Sequence, residues 1–128
     1  MKLKDAEEEI YSGLLDLTRE GGPGNFMVVS SGDIYVQFAG SPGNPQVVCE
    51  SIANEYLPKK VKMSAAAVKK LKSFGFKLGG DEIKNFSHTF ALSTEDEARE
   101  LAGLTTRILE DVYGIEPADD VQIELSLE

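Results

Sequence analysis

His88 is the only histidine and Cys49 the only cysteine among 128 residues, so covalent or metal chemistry has few groups to draw on. A nucleophilic triad needs a base beside its nucleophile, and no histidine neighbours Cys49 in the sequence. His88 lies between Phe86 and Phe90 in an alternating stretch, the pattern of a hydrogen-bonded core or rim histidine. Carboxylates cluster at Glu7-Glu8-Glu9, Asp96-Glu97, Glu110-Asp111 and Asp119-Asp120. Each cluster falls at a helix end or an exposed turn, and none has the alternating oxygen ligands and central glycine of a calcium loop. The bend Gly40-Ser41-Pro42-Gly43-Asn44-Pro45 could cradle a phosphate only if its amides converged on the anion. Pro42 and Pro45 each delete a donor and no lysine follows, so the bend reads as a turn between two strands. No catalytic residue, metal ligand or cofactor site is assigned, and the expectation is a protein that is not an enzyme.

The elements that would carry these residues follow from periodicity. Residues 4–19 repeat Ala6, Ile10, Leu14 and Leu17 at helical spacing, with acidic residues at the end where the helix dipole favours them. Gly21-Gly22-Pro23-Gly24 stops that helix. Strands are expected at 26–30 and 34–39, joined at Ser31-Gly32-Asp33, and a third at 46–52 completes a meander. Residues 54–63 form an irregular connection. Ser64 caps a helix whose inward residues are Val68, Leu71 and Phe74 and which ends at Gly75. A fourth strand runs from Phe86 to Leu92. Thr94 and Glu97 form a capping box opening the longest helix, with the stripe Ala98, Leu101, Thr105, Ile108 and Val112 and a stop at Gly114. Val121, Ile123, Leu125 and Leu127 alternate with polar residues in a last strand. The order α-β-β-β-α-β-α-β predicts an α+β fold, one domain spanning 1–128, with an antiparallel sheet carrying its helices on one side.

Composition sets the company this chain can keep. Hydrophobic residues make up 41% and charged residues 27%, the values of a globular protein. No apolar run reaches the roughly 20 residues that cross a bilayer, and the amino terminus lacks the apolar stretch of a secretory signal, so the expected location is cytoplasmic. A net charge of −9 opposes binding to nucleic acid or to an anionic membrane. Seven of the 13 basic residues nevertheless fall at Lys59, Lys60, Lys62, Lys69, Lys70, Lys72 and Lys77. The segment reads either as a solvated helix face or as a basic patch for an acidic partner.

Two stretches then resemble a known family. Val36 to Pro58, VQFAGSPGNPQVVCESIANEYLP, is followed by a lysine-rich helix ending in Leu71-Lys72-Ser73-Phe74-Gly75-Phe76. This is similar to the Tir-chaperone-like and YbjN-like peptide-binding chaperone domains, which show a Val-Gln-Phe strand, a bend, a strand with Glu near its end, Asn-x-x-Leu-Pro, and Leu-Gly-Trp after the helix. Asn85-Phe86, the run from Ile108 to Ile115 and Pro117-Ala118-Asp119-Asp120 before the last strand also fit. Phe76 and Phe86 stand where the family often has Trp, which this chain lacks entirely. The resemblance implies a fold like the chaperones of type III secretion effectors: small, acidic, cytoplasmic, often dimeric, holding a protein or peptide client in a non-globular state without a cofactor.

Two surfaces are expected on that basis. Val36, Phe38, Val47, Cys49, Phe86, His88 and Phe90 would line an incompletely covered sheet and meet the client through pockets and strand addition. Ala66, Ala67 and Leu71 would let a second copy approach closely to form a homodimer.

Overall fold

The computed structural model describes residues 1–79 and 84–128. After a short turn at Leu3–Asp5, helix α1 spans Glu7–Arg19 and buries Ile10, Leu14 and Leu17 along one stripe. Gly13 lies on the same side, where any Cβ would collide with the Met27 sulfur. The missing side chain is what lets α1 lie flat on the sheet.

Strands β1 (Asn25–Ser31) and β2 (Ile34–Gly40) form a hairpin. Its two-residue turn opens with Gly32 at φ +59°, a conformation that suits glycine. The glycine-rich bend at residues 40–45 leads into β3 (Gln46–Ser51), antiparallel to β2, so it is the turn expected of it. The connection 54–63 is closed by Asn54, whose side chain donates to the Met63 carbonyl at 3.0 Å and accepts from the Met63 amide at 2.7 Å. Helix α2 (Ala65–Ser73) starts at Ser64, which accepts from the Ala67 amide as a cap should. Gly75, at φ +100°, ends it.

A two-residue strand, β4 (Lys77–Leu78), comes next and was not expected. It is too short for any alternation to show. β5 (Phe86–Ala91) pairs with both β4 and β3. Helix α3 (Glu95–Arg107) opens with the capping box, in which Thr94 and Glu97 bond reciprocally, and widens into a π-helical stretch over Ile108–Val112. The expected stripe from Ala98 to Val112 is buried throughout. α3 lies against α1, with Arg99 paired to Glu8 at 2.6 Å and stacked 3.6 Å over the Tyr11 ring.

The last strand, β6 (Gln122–Ser126), pairs with β1, giving a six-stranded antiparallel sheet in the order β4-β5-β3-β2-β1-β6. The observed order is α-β-β-β-α-β-β-α-β, an α+β fold with all three helices on one face of the sheet, as expected apart from β4. Between helices and sheet lies one apolar core that includes Leu14, Met27, Phe38, Leu71, Phe76 and Ile108.

Candidate functional site

The register puts the expected sheet residues on a single face. Phe38 pairs with Cys49, Cys49 with His88, and Val47 with Phe90, while Val36 and Phe86 both pair with Ser51. That face is the one beneath the helices. Val36 is 0%, Phe38, Val47 and Cys49 1%, and Phe86 3% exposed. These five are core residues, so a client meeting the closed fold touches none of them. The physical reason is that alternation assigns residues to one side of a strand, while helix packing decides which side is covered.

His88 and Phe90 are half-buried, because they sit near the β4 edge where helix cover thins. The His88 ring lies edge-on to Phe90 at 4.7 Å, and Phe76 stands 6.1 Å from His88 and 5.8 Å from Phe90. Gly75 makes room for this trio, since a Cβ there would stand 3.0 Å from two atoms of the His88 ring. Phe90 also forms part of an open groove of about 640 Å³ beside α3, together with Leu101, Leu104 and Arg107. Leu104 was missed in the sequence because it lies beside, not on, the stripe that fills the core.

Among the described residues the opposite face of the sheet carries no helix. Across it Phe26, Ala39, Val48 and Thr89 are successive neighbours on β1, β2, β3 and β5, and Val28, Gln37, Glu50 and Ser87 form the next row. Phe26 is 41% and Val48 37% exposed, and Val28 is half-buried. Tyr35 shares this face, its hydroxyl receiving a bond from the Asn85 side-chain amide at 2.7 Å. The signal for these residues was present: Phe26-Met27-Val28-Val29 and Val47-Val48 are apolar on both sides of their strands, more than one covered face requires.

Along α2, Leu71 is 0% exposed and belongs to the core. Ala66 is exposed and Ala67 half-buried, so of the three residues expected to meet a second copy only these two reach the surface. All seven lysines between 59 and 77 are exposed, and Lys70 pairs with Asp111 at 3.6 Å. Lys72 and Lys77 flank a shallow depression shared with Gly75, Phe76 and Leu78.

The groups with chemical potential are placed for structure. Burial pushes the Cys49 thiol well above its ordinary range, away from the thiolate a nucleophile needs. Two amides of the glycine-rich bend are already paired, Gly43 donating to the Thr18 carbonyl of α1 and Asn44 to the Ser41 carbonyl, and the Gln46 amide that follows donates to the Asn44 side chain. Among the described residues no group of three or more His, Cys, Asp or Glu side chains could hold a metal ion.

Three helices and a six-strand antiparallel sheet among the described residues make an α+β domain consistent with a type III secretion chaperone-like fold. Residues 11–124 match the family model TY-Chap3, described as T3SS (YopN, CesT) and YbjN peptide-binding chaperone 3, and the chain belongs to that family. Comparison with curated proteins and with solved structures gave no match. The family implies a peptide-binding chaperone role with a protein or peptide client. Among the described residues no helix is long and apolar enough to cross a membrane.

Proposed function

We propose that this protein is a non-enzymatic holder of an extended client segment, which it binds on the helix-free face of its sheet. The observation that carries this reading is the apolar strip Phe26, Val28 and Val48 on a face that no element of the described residues covers. A strip of that kind, bordered by Gln37, Glu50 and Thr89, gives apolar contact with polar flanks. The sheet residues named from sequence act through the core: Val36, Phe38, Val47, Cys49 and Phe86 hold the strands in register, His88 packs against Phe76 and Phe90, and Phe90 reaches the groove beside α3. A photo-crosslinker at Val48, compared with one at exposed Lys4, tests the reading in cells. Crosslinked peptides from one or a few proteins at Val48 alone support it, and equal yields at both positions sink it.

A second reading rests on the depression between Lys72 and Lys77. Its apolar floor at Phe76 and Leu78 with two flanking ammonium groups suits a partner that presents an acidic residue beside an apolar one. An adaptor of this kind would lose its partner in a Lys72→Glu, Lys77→Glu variant while Val48→Glu left binding intact, the reverse of the outcome expected for the first reading.

A further inference from the structure

The two ends of the sheet carry opposite charge. Lys77 and the α2 lysines lie at the β4 end. Toward the β6 end stand five exposed acidic residues, Glu116, Asp119, Asp120, Glu124 and Glu128, while Asp111 lies on the α2 side, paired to Lys70.

The outer edge of β6 is only partly paired. Val121 donates to the Met1 carbonyl at 2.7 Å and accepts from the Met1 ammonium at 3.2 Å. Lys2 bridges to Asp120, and its ammonium reaches the Ala118 carbonyl, so the amino-terminal basic groups are taken up at the start of the strand. Alternate residues of an antiparallel strand aim their N–H and C=O to the same side. Ile123 and Leu125 therefore point outward like Val121, while Gln122, Glu124 and Ser126 point to β1. Among the described residues no hydrogen bond meets the outward groups of Ile123 and Leu125.

The side chains along this edge alternate as well. Ile123 and Leu125 pair with Val29 and Met27 on the helix side, where Ile123 is half-buried and Leu125 37% exposed. Glu124 stands exposed on the helix-free face between Gln122 and Ser126.

We infer that the outer edge of β6 takes the client as a seventh, antiparallel strand in line with Met1–Leu3, and that the client segment alternates apolar residues, lying over Ile123 and Leu125, with a basic residue opposite Glu124. The inference rests on the peptide-holding reading and adds to the helix-free face a second contact for the same client, at an edge and with a stated chemistry. The residue opposite Glu124 forms a pair whose backbones do not bond to each other, the type in which side chains stand closest, so charge there counts most. A second copy is the weaker occupant, because β6 paired with itself over its full length sets Glu124 against Glu124, and both edges are acidic.

Blocked eight-residue peptides alternating Val with Lys, or Val with Glu, test this on the full chain by fluorescence anisotropy and amide exchange. The Val-Lys peptide is expected to bind several-fold tighter and to slow exchange at the Ile123 and Leu125 amides. Glu124→Lys should reverse the preference. N-methylation of the peptide residues whose amides face β6 should abolish binding, and methylation of the alternate set should leave it. Leu125→Pro removes one outward donor without touching the ladder to β1 and should weaken binding at least as much as Glu124→Lys. A peptide that binds with the Ile123 and Leu125 amides unprotected, and that Val48→Glu displaces, overturns the edge while the peptide-holding reading stands. Absence of binding by every alternating peptide overturns both. Protection of those amides in concentrated protein without peptide, with a doubled mass in sedimentation, overturns the inference in favour of a second copy.

Discussion

The hydroxyls of Tyr113 and Ser51 meet at 2.6 Å, joining the end of the π-helical stretch to the end of β3. The same Tyr113 hydroxyl donates to the Ile52 carbonyl at 2.7 Å. A phenol has one proton to give, so the Ser51 hydroxyl must be the donor in the shorter bond. Burial pushes the Tyr113 phenol far above its ordinary range, and it stays neutral across the physiological range. Tyr113→Phe keeps the ring and strands both Ser51, which is 0% exposed, and the Ile52 carbonyl. The expected loss is about 1–3 kcal/mol in urea unfolding, with unchanged m-value.

Asn25 holds the opposite corner. Its side-chain amide donates to the Leu17 and Glu20 carbonyls, and its oxygen accepts from Gly22 and Glu128 amides. One buried side chain thus joins the end of α1, the glycine turn, β1 and the stretch after β6. Asn25→Asp replaces two donors by a carboxylate facing carbonyl oxygens, so it should destabilise more than Asn25→Ala at pH 7, and the two should converge as pH falls below the carboxylate pKa. Thermal unfolding at pH 4 and pH 7 checks the ordering.

Neighbours Val47 and Val48 should behave as opposites. Val47 is 1% exposed beneath the helices and Val48 37% exposed on the free face. Val47→Glu buries a charge with no partner and should abolish cooperative unfolding. Val48→Glu should shift stability by no more than about 0.5 kcal/mol, as surface changes do, while removing client binding. Circular dichroism melts beside a client pull-down give both readouts.

This pair also marks where the sequence stops being informative. Alternation alone places Val36, Phe38, Val47 and Cys49 on one side of their strands, and the register agrees. Yet β1 and β3 are apolar on both sides at Phe26 to Val29 and Val47-Val48, so nothing local says which side the helices cover. Leu71 fell the same way: helical spacing puts it on the inward stripe of α2, and a residue the core already holds at 0% exposure has no surface left to offer a second copy. Caps and turns were readable at single-residue level because their chemistry is local, as at Thr94 with Glu97, Ser64 and Gly75. Tertiary bonds such as those of Asn25 and Tyr113 span up to 103 positions and leave no local trace.

Acid should loosen α3 through its cap. Hydrogen bonds from the side chain and amide of Ser93 hold the Glu97 carboxyl below its ordinary value of 4.5, and the Thr94 amide and hydroxyl add to them. Glu8 is held below the same value by Arg99. A carboxyl whose folded pKa is depressed contributes stability that is complete above its unfolded pKa and is lost as pH falls through the folded one. Stability should therefore be flat above about pH 5.5 in this respect and decline below 4.5. Glu97→Gln keeps an oxygen for the cap and has no proton to take up, so its decline should be shallower, as should that of Glu8→Gln. Urea unfolding between pH 3 and pH 7 decides it, and a parallel fall in the variants and the parent protein would show that these two carboxylates do not carry the acid response.

Self-association through α2 is the remaining expectation with a sharp test. The surface left to it is Ala66 and Ala67, beside half-buried Val68 and Phe74, with Lys69, Lys70 and Lys72 exposed along the same short helix. Small residues let two helices approach closely, while a two-fold axis through α2 would bring the lysines of both copies together. The contact is thus favoured by shape and opposed by charge, so a dimer held there should strengthen with salt, which screens like charges within about 10 Å at 0.1 M. Sedimentation at micromolar concentration in low and high salt reads this directly. A mass above 13.9 kDa that rises with salt and returns to the monomer in Ala66→Glu places the dimer on α2. A mass of 13.9 kDa at every concentration and salt level removes it and leaves the helix-free face and the β6 edge to act in a monomer.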